Sequence, residues 1–291
     1  MNSKLALGTV QFGMPYGVGD ESCQVDSREV GNILKLARQS GIDTLDTAIS
    51  YGESETILGS HGLDGMSVVT KLPEVPLNCK NLTGWMNSRI EESLSRLNVT
   101  SLDGVLLHRP QQLLGSSGPR LYDALNSLKK ENLVNRIGIS IYTVDELELC
   151  CKNFEYDLVQ APLSVFDRRL ADTGWLQRLH EQGIDVHVRS IFLQGLLLMP
   201  KHKRPTRFNR WNHIWNCWER WLEETKQCSL GACLKYVLSR PEIEKVVVGV
   251  NSCSNLQEIL ETSISDKYFS LPEGLSNIDA ELLDPSNWGE L

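Results

Sequence analysis

No stretch of this chain approaches the roughly 18 consecutive apolar residues that a membrane-spanning helix needs. The pattern Cys-x-x-Cys is also missing, although eight cysteines are present: Cys23, Cys79, Cys150, Cys151, Cys217, Cys228, Cys233 and Cys253. No histidines stand beside them at zinc-like spacing, so scattered reduced thiols and no metal centre are expected. Positive charge is not in excess. The 29 Lys and Arg against 37 Asp and Glu leave a net charge of −8, which disfavours non-specific attachment to nucleic acid or anionic membrane. A small-molecule partner is expected, with no nucleic acid and no membrane. The opening "MNSKLALGTVQFGMPYG" carries one lysine, and its Gly and Pro come too early for a signal-peptide core; the cytoplasm is the expected compartment. Low-complexity linkers and internal repeats are missing too, and nothing in the sequence sets an oligomeric state.

What is present is an ordinary globular composition, 41% hydrophobic and 23% charged over 291 residues, enough to bury a core without staples. A single domain over residues 1–291 is expected. Eight short β-branched or apolar runs recur, at Leu5–Val10, Ile42–Thr47, "SVVTK" ending at Lys71 and "GVLLH" ending at His108, then "RIGIS" ending at Ser140, "DLVQA" at Ala161, "DVHVRS" at Ser190 and "KVVVGV" at Val250. Stretches of helical periodicity separate them. In the first, Asp26 with Glu29 reads as an N-cap with its capping-box partner, Val30, Ile33, Leu34 and Ala37 make one face, and Gly41 suits the stop. Met86, Ile90, Leu94 and Leu97 repeat this pattern, as do Leu125 and Leu128. Continuous apolar strands alternating with helices indicate a parallel sheet covered on both faces. Eight such units in this length match a (β/α)8 TIM barrel, a parallel eight-stranded α/β barrel. The alternative, a doubly wound open sheet, usually announces itself by GxGxxG after its first strand, and "LGTVQFGMPYG" does not read so.

A long loop follows the seventh strand. It holds the basic run Lys201, Lys203, Arg204, Arg207 and Arg210, then Trp211, Trp215, Trp218 and Leu222 at helical spacing. The tryptophan stripe reads as core packing. The basic run reads as a solvated face that leaves phosphate binding open.

Polar residues gather where strands end, which in such barrels is the catalytic face. Asp46 closes the second strand and Tyr51 follows it; Lys71 closes the third and His108 the fourth. Each alone has a plain structural explanation as a cap, a solvated charge or a satisfied imidazole. Together they carry one chemistry. A phenol near an ammonium is lowered from its ordinary pKa of about 10. A carboxylate beside the lysine keeps that lysine charged, and an imidazole can orient a carbonyl oxygen. The set is a general acid aimed at an oxygen becoming an alkoxide. With no nucleophilic Ser or Cys in it, the hydride donor must be a cofactor.

The stretch "DTLDTAISYGESETILG", with "VVTKLP", "LLHRP", "GIS" at Gly138–Ser140, "VQAPLSVFD", "FLQGLLL" and "VVVGVNSCSNLQEIL", resembles the aldo-keto reductases, and the opening "LGTVQFGMPYG" resembles a bacterial branch of them. The resemblance runs in order from Leu5 to about Ile264. It implies a barrel that binds extended NADP(H) or NAD(H) and reduces the carbonyl of a small polar aldehyde or ketone, in that branch often a sugar derivative. It makes Tyr51 the proton donor, Asp46 and Lys71 its tuning pair, and His108 the carbonyl-orienting group. Ser140 and Gln160 match the nicotinamide-carboxamide contacts. Ser190, Gln194 and Gly195 match the strap over the pyrophosphate, and Gly249, Asn251, Asn255 and Glu258 the adenosine end. Ile259 departs from the pattern, replacing a frequent Asn, and Asn251, Ser252 and Asn255 are neutral where NADP-preferring members usually carry Lys or Arg, so the resemblance leaves NADP versus NAD open. Ile141 stands where Asn is frequent, and Arg189 stands where many members carry an aromatic under the nicotinamide. The departures at Ile141 and Arg189 motivate a competing reading, an NAD(P)H-binding sensor or partner subunit with little turnover. A lyase or isomerase barrel without nicotinamide is the third.

Overall fold

In the computed structural model, which describes residues 4–18, 24–263, 271–276 and 279–290, the eight runs are eight strands. They are β1 (Leu5–Gly8), β2 (Thr44–Asp46), β3 (Ser67–Leu72), β4 (Leu102–Leu107), β5 (Val134–Ser140), β6 (Leu158–Pro162), β7 (Asp185–Arg189) and β8 (Lys245–Gly249). All neighbours pair in parallel, and β1 also pairs with β8, Leu7 beside Val248 and Gly8 beside Gly249, so the sheet closes. The helices in chain order are α1 (Val10–Gly13), α2 (Ser27–Gln39), α3 (Ser54–Ser60), α4 (Leu82–Leu97), α5 (Gly118–Lys130) and α6 (Val144–Cys151). After them come α7 (Arg169–Asp172), α8 (Trp175–Glu181), α9 (Asn212–Thr225), α10 (Ser229–Leu238), α11 (Cys253–Thr262) and α12 (Ala280–Leu283). The expected (β/α)8 barrel is therefore the fold. None of the described helices is long and apolar enough to cross a membrane.

Why these elements form is clearest in α2. Asp26 Oδ1 accepts from the N–H groups of Arg28 and Glu29, capping the first turn. Val30, Ile33, Leu34 and Ala37 are fully buried against the barrel, and Gly41, at φ +76°, reverses the chain into β2. The reciprocal half of the expected capping box does not form. Glu29 turns outward instead, to Asn32 and to the backbone of Cys253. The first strand is also shorter than expected: the chain leaves it at Thr9, and Val10 already begins the turn of α1.

Most of the hydrophobic core lies between the strands and the surrounding helices. Val69, Leu106 and Leu158 form a small cluster of their own. A second core joins the long insertion between β7 and β8 to Val165 and Phe166 after β6 and to Leu275, Leu282, Leu283 and Trp288 near the end of the described residues; in it Trp211, Trp215 and Trp218 pack as the periodicity predicts, with Phe208 beside them. Trp221 joins them, stacked on Trp218 at 5.5 Å between centroids, whereas Leu222 is only partly buried.

Candidate active site

The loop after β2 is held in place by backbone approach and by buried hydroxyls. A Cβ on Gly13 would lie 1.8 Å from the carbonyl oxygen of Tyr51, and one on Gly52, itself at φ +54°, 2.4 Å from the oxygen of Gly13. Only glycine lets the α1 turn and the Tyr51 loop come this close. Ser54 Oγ donates to Thr9 O and to Thr9 Oγ1, both at 2.9 Å, and Thr9 Oγ1 donates to Asp46 O at 3.0 Å. Loop backbone also runs along β3, with Ile49 N–H donating to Lys71 O.

Four strand-end residues from three neighbouring strands converge here. Lys71 is 1% exposed, and its Nζ donates to both carboxylate oxygens of Asp46 and to Thr47 O, each at 2.8 Å. The same ammonium stands 5.1 Å from the centre of the Tyr51 ring. The rings of Tyr51 and His108 meet edge to face at 6.0 Å. Ser50 Oγ lies 3.3 Å from His108 Nδ1.

The electrostatics differ from the expectation at one point. Lys71 spends its protons on Asp46 and Thr47, and among the described residues no hydrogen bond joins it to the Tyr51 hydroxyl. Burial, and then the negative charge of Asp46, push the phenol above the ordinary tyrosine value. The lowering expected from the ammonium is not seen. Burial likewise pulls the Lys71 ammonium below the ordinary lysine value, against the opposing pull of Asp46. His108 is pushed down to about 4 by burial and then by the charges of Lys71 and Arg189, so its imidazole is neutral at neutral pH.

The residues expected around a cofactor lie on the same rim. Ser140 ends β5 and Gln160 lies in β6, both buried. Gln160 Nε2 donates to Asp46 Oδ1 at 2.6 Å, and Ser140 Oγ to Gln160 Oε1 at 3.4 Å, so this pair also braces the carboxylate. Arg189 ends β7 with its guanidinium 4.3 Å over the ring of Tyr142, and it donates to Ile141 O at 2.9 Å and to Ser190 Oγ at 3.2 Å. Ser190, Leu193, Gln194 and Gly195 all have positive φ; a strap of such residues is strained backbone of the kind found at ligand clamps. Gly249 ends β8. Asn251 and Asn255 lie at the start of α11, where Asn251 N–H donates to Asn255 Oδ1 at 3.3 Å, and Glu258 is exposed further along that helix.

Sequence reasoning missed several contributors. Tyr16, in the loop after β1, accepts from Gln194 Nε2 at 3.0 Å, and burial pushes its phenol up to about 12. Tyr142 supplies the face on which Arg189 rests. Gln11 lies against Gly249, where a Cβ would stand 2.7 Å from its Nε2, and its Oε1 is buried without a partner among the described residues. Gln11 and Tyr16 stand within the quoted opening "LGTVQFGMPYG", and Tyr142 stands two residues past "GIS", so position was their signal.

Comparison with known proteins places this geometry in a family. Residues 4–271 match the Aldo/keto reductase family. Among curated proteins, the chain is 26% identical over 152 residues to D-arabinose 1-dehydrogenase of Saccharomyces cerevisiae, covering 49% of this chain and 44% of that protein. It is 25% identical over 182 residues to 6-dehydroglucose reductase of Agrobacterium fabrum, covering 56% and 57%. The chain thus spans about half the length of these two relatives. Solved structures of similar fold include the aldo-keto reductase AKR11C1 of Bacillus halodurans in its holo form, with a TM-score of 0.71 and 19% identity over 92% of this chain and 89% of that one. Another is the glycerol dehydrogenase AKR11B4 of Gluconobacter oxydans, with a TM-score of 0.69 and 19% identity over 92% and 88%. The matching family model covers all eight strands and the rim they carry, and the chain belongs to the aldo/keto reductase family.

Proposed function

We propose that this chain is an NAD(P)H-dependent oxidoreductase that reduces the carbonyl of a small polar aldehyde or ketone to an alcohol, with Tyr51 as general acid. The observation that carries the reading is the meeting of Tyr51, the Lys71–Asp46 pair and His108 at the C-terminal ends of β2, β3 and β4. Two relatives named for sugar substrates support a sugar derivative as the substrate class.

The rim suits a nicotinamide dinucleotide. The buried amide of Gln160 and the hydroxyl of Ser140 are a donor and acceptor set matched to a carboxamide. Beside β8, the Gln11 side chain lies over the bare Cα of Gly249, and its Oε1, without a partner among the described residues, is an acceptor for the dinucleotide. Ser190, Gln194 and Gly195 would hold the pyrophosphate, and Asn251, Asn255 and Glu258 the adenosine. Such a cofactor, when bound, supplies the hydride.

The chain's own residues handle the proton. Because burial raises the Tyr51 phenol, its Oη keeps its proton across neutral pH and releases it only to a strong base such as a developing alkoxide. The Lys71 ammonium, fixed by Asp46 and Thr47, puts positive charge beside the Tyr51 ring and so opposes the cost of charge forming there. His108 is neutral. In the tautomer that takes the Ser50 hydroxyl proton at Nδ1, the ring proton sits on Nε2, where it can donate to the carbonyl oxygen.

The test is Tyr51→Phe, assayed on an aldehyde, ketone and sugar panel alongside nucleotide titration. The expected result is a loss of about 10²-fold or more in kcat with nucleotide binding retained; undiminished turnover would overturn the assignment. Arg189 favours a second reading, a nucleotide-binding sensor or partner subunit with little turnover, because a cation held on Tyr142 occupies the place of an aromatic ring support. Multiple turnovers on one ordinary aldehyde eliminate it.

A further inference from the structure

Glu29 is the residue whose side chain departs from its sequence role. It sits on the first turn of α2 and reaches across to the first turn of α11, where its Oε1 accepts from Cys253 N–H at 2.7 Å. Its Oε2 accepts from Asn32 Nδ2 at 3.0 Å. Asn255 N–H in the same turn is given to Ser252 Oγ at 3.2 Å. A helix N-terminus offers free N–H groups and partial positive charge to an anion. In α11 the chain has supplied that anion itself.

The placement matters because α11 follows β8, and in barrels of this kind the loops after strands seven and eight and a nearby helix N-terminus are the usual holders of phosphate. Helix α11 itself carries no positively charged side chain. Asn251, Ser252 and Asn255 are neutral. Two of the five basic residues in the loop after β7 are committed elsewhere. Arg204 pairs with Glu219 and stacks 4.1 Å over Trp215, and Arg210 pairs with Glu281 and stacks 4.5 Å over Trp211.

We propose that Glu29 sets the nucleotide preference of this chain, which takes NADH over NADPH. The inference rests on the cofactor reading above, with the adenosine end lying along residues 249–258. A ribose diol can donate to a carboxylate. A 2′-phosphate cannot, and near neutral pH it brings almost two negative charges to a place already held by one. Dinucleotide-binding folds use the same division, with an acidic residue on the ribose hydroxyl for NAD and an arginine for the phosphate of NADP.

The experiment is calorimetric titration of the full chain with NADH and with NADPH separately, which reads binding rather than turnover. NADH is expected to bind tighter by about tenfold or more, a difference of about 1.4 kcal/mol. Glu29→Gln keeps an acceptor for Cys253 N–H while removing the charge; it should strengthen NADPH binding several-fold and narrow the gap, and added salt should narrow it in the unmodified chain. Equal or tighter NADPH binding by the unmodified chain overturns the preference. A gap that Glu29→Gln leaves unchanged overturns the assignment of that preference to Glu29. Binding of neither nucleotide overturns the cofactor reading itself, and this inference with it.

Discussion

His108 shows how burial decides the protonation of a single side chain and, through it, a measurable pH dependence. Its imidazole is held down to about 4, against an ordinary value of 6.5, because the charged form would lose water and face Lys71 and Arg189. Between those two values the unfolded chain binds a proton at this residue and the folded chain does not. The stability contributed by His108 is therefore fully present above about pH 6.5 and is lost as pH falls toward 4. His108→Gln, which cannot titrate, should flatten that part of the stability profile in denaturant titrations at pH 7 and pH 5. Nuclear magnetic resonance of the His108 ring should show no midpoint between pH 5 and 8; a midpoint near 6.5 would refute the assignment. At this scale the sequence made the converging set legible, because Asp46, Lys71 and His108 each stand where an apolar run stops and Tyr51 follows the first of them. It did not make the contacts legible. A lysine can satisfy only so many acceptors, and which it takes depends on ångström-level geometry: Lys71 chose Asp46 and Thr47, leaving the Tyr51 hydroxyl aside.

At the scale of elements, the strand runs were readable because a parallel strand buried on both faces must be apolar at nearly every position, as "VVT" and "GVLL" are. Their ends were less so. Leu5–Val10 reads as one run, yet Val10 starts α1, because that turn must bring Gly13 against the Tyr51 loop. Close approach of two loops leaves no periodic trace, only a glycine among many. The prediction for this contact is definite. Gly13→Ala places a methyl group 1.8 Å from Tyr51 O and 2.4 Å from Ser54 N, so one backbone must shift by about an ångström, enough to cost on the order of 10²-fold in kcat/KM. Gly62→Ala is the control. Its Cβ meets nothing within 4 Å, although φ is +65°, so it should cost stability of about 1 kcal/mol and leave turnover intact. Equal loss of activity in both variants would show that the approach at Gly13 does not position Tyr51.

At the scale of the whole molecule, the tryptophan-rich insertion is packed into the barrel through shared residues. Its core is distinct in residue content, but one helix serves both sides. Leu230, Leu234 and Val237 of α10 pack into the barrel core, whereas Ala232 and Cys233 pack into the insertion core. Phe192 and Tyr236 also touch both. Melting the insertion would therefore strip one face of a helix that the barrel needs, and opening the barrel would unseat the insertion. We propose that the barrel and the insertion unfold as one cooperative unit. The seven tryptophans make this testable, because Trp211, Trp215, Trp218, Trp221 and Trp288 all belong to the insertion core, so tryptophan emission reports mainly on that region. Far-ultraviolet circular dichroism reports mainly on the barrel and its helices. In a guanidinium titration the two signals should change with one shared midpoint and slope. A fluorescence transition completed before the dichroism begins to fall would make the insertion an independent unit and α10 a weak link between two cores.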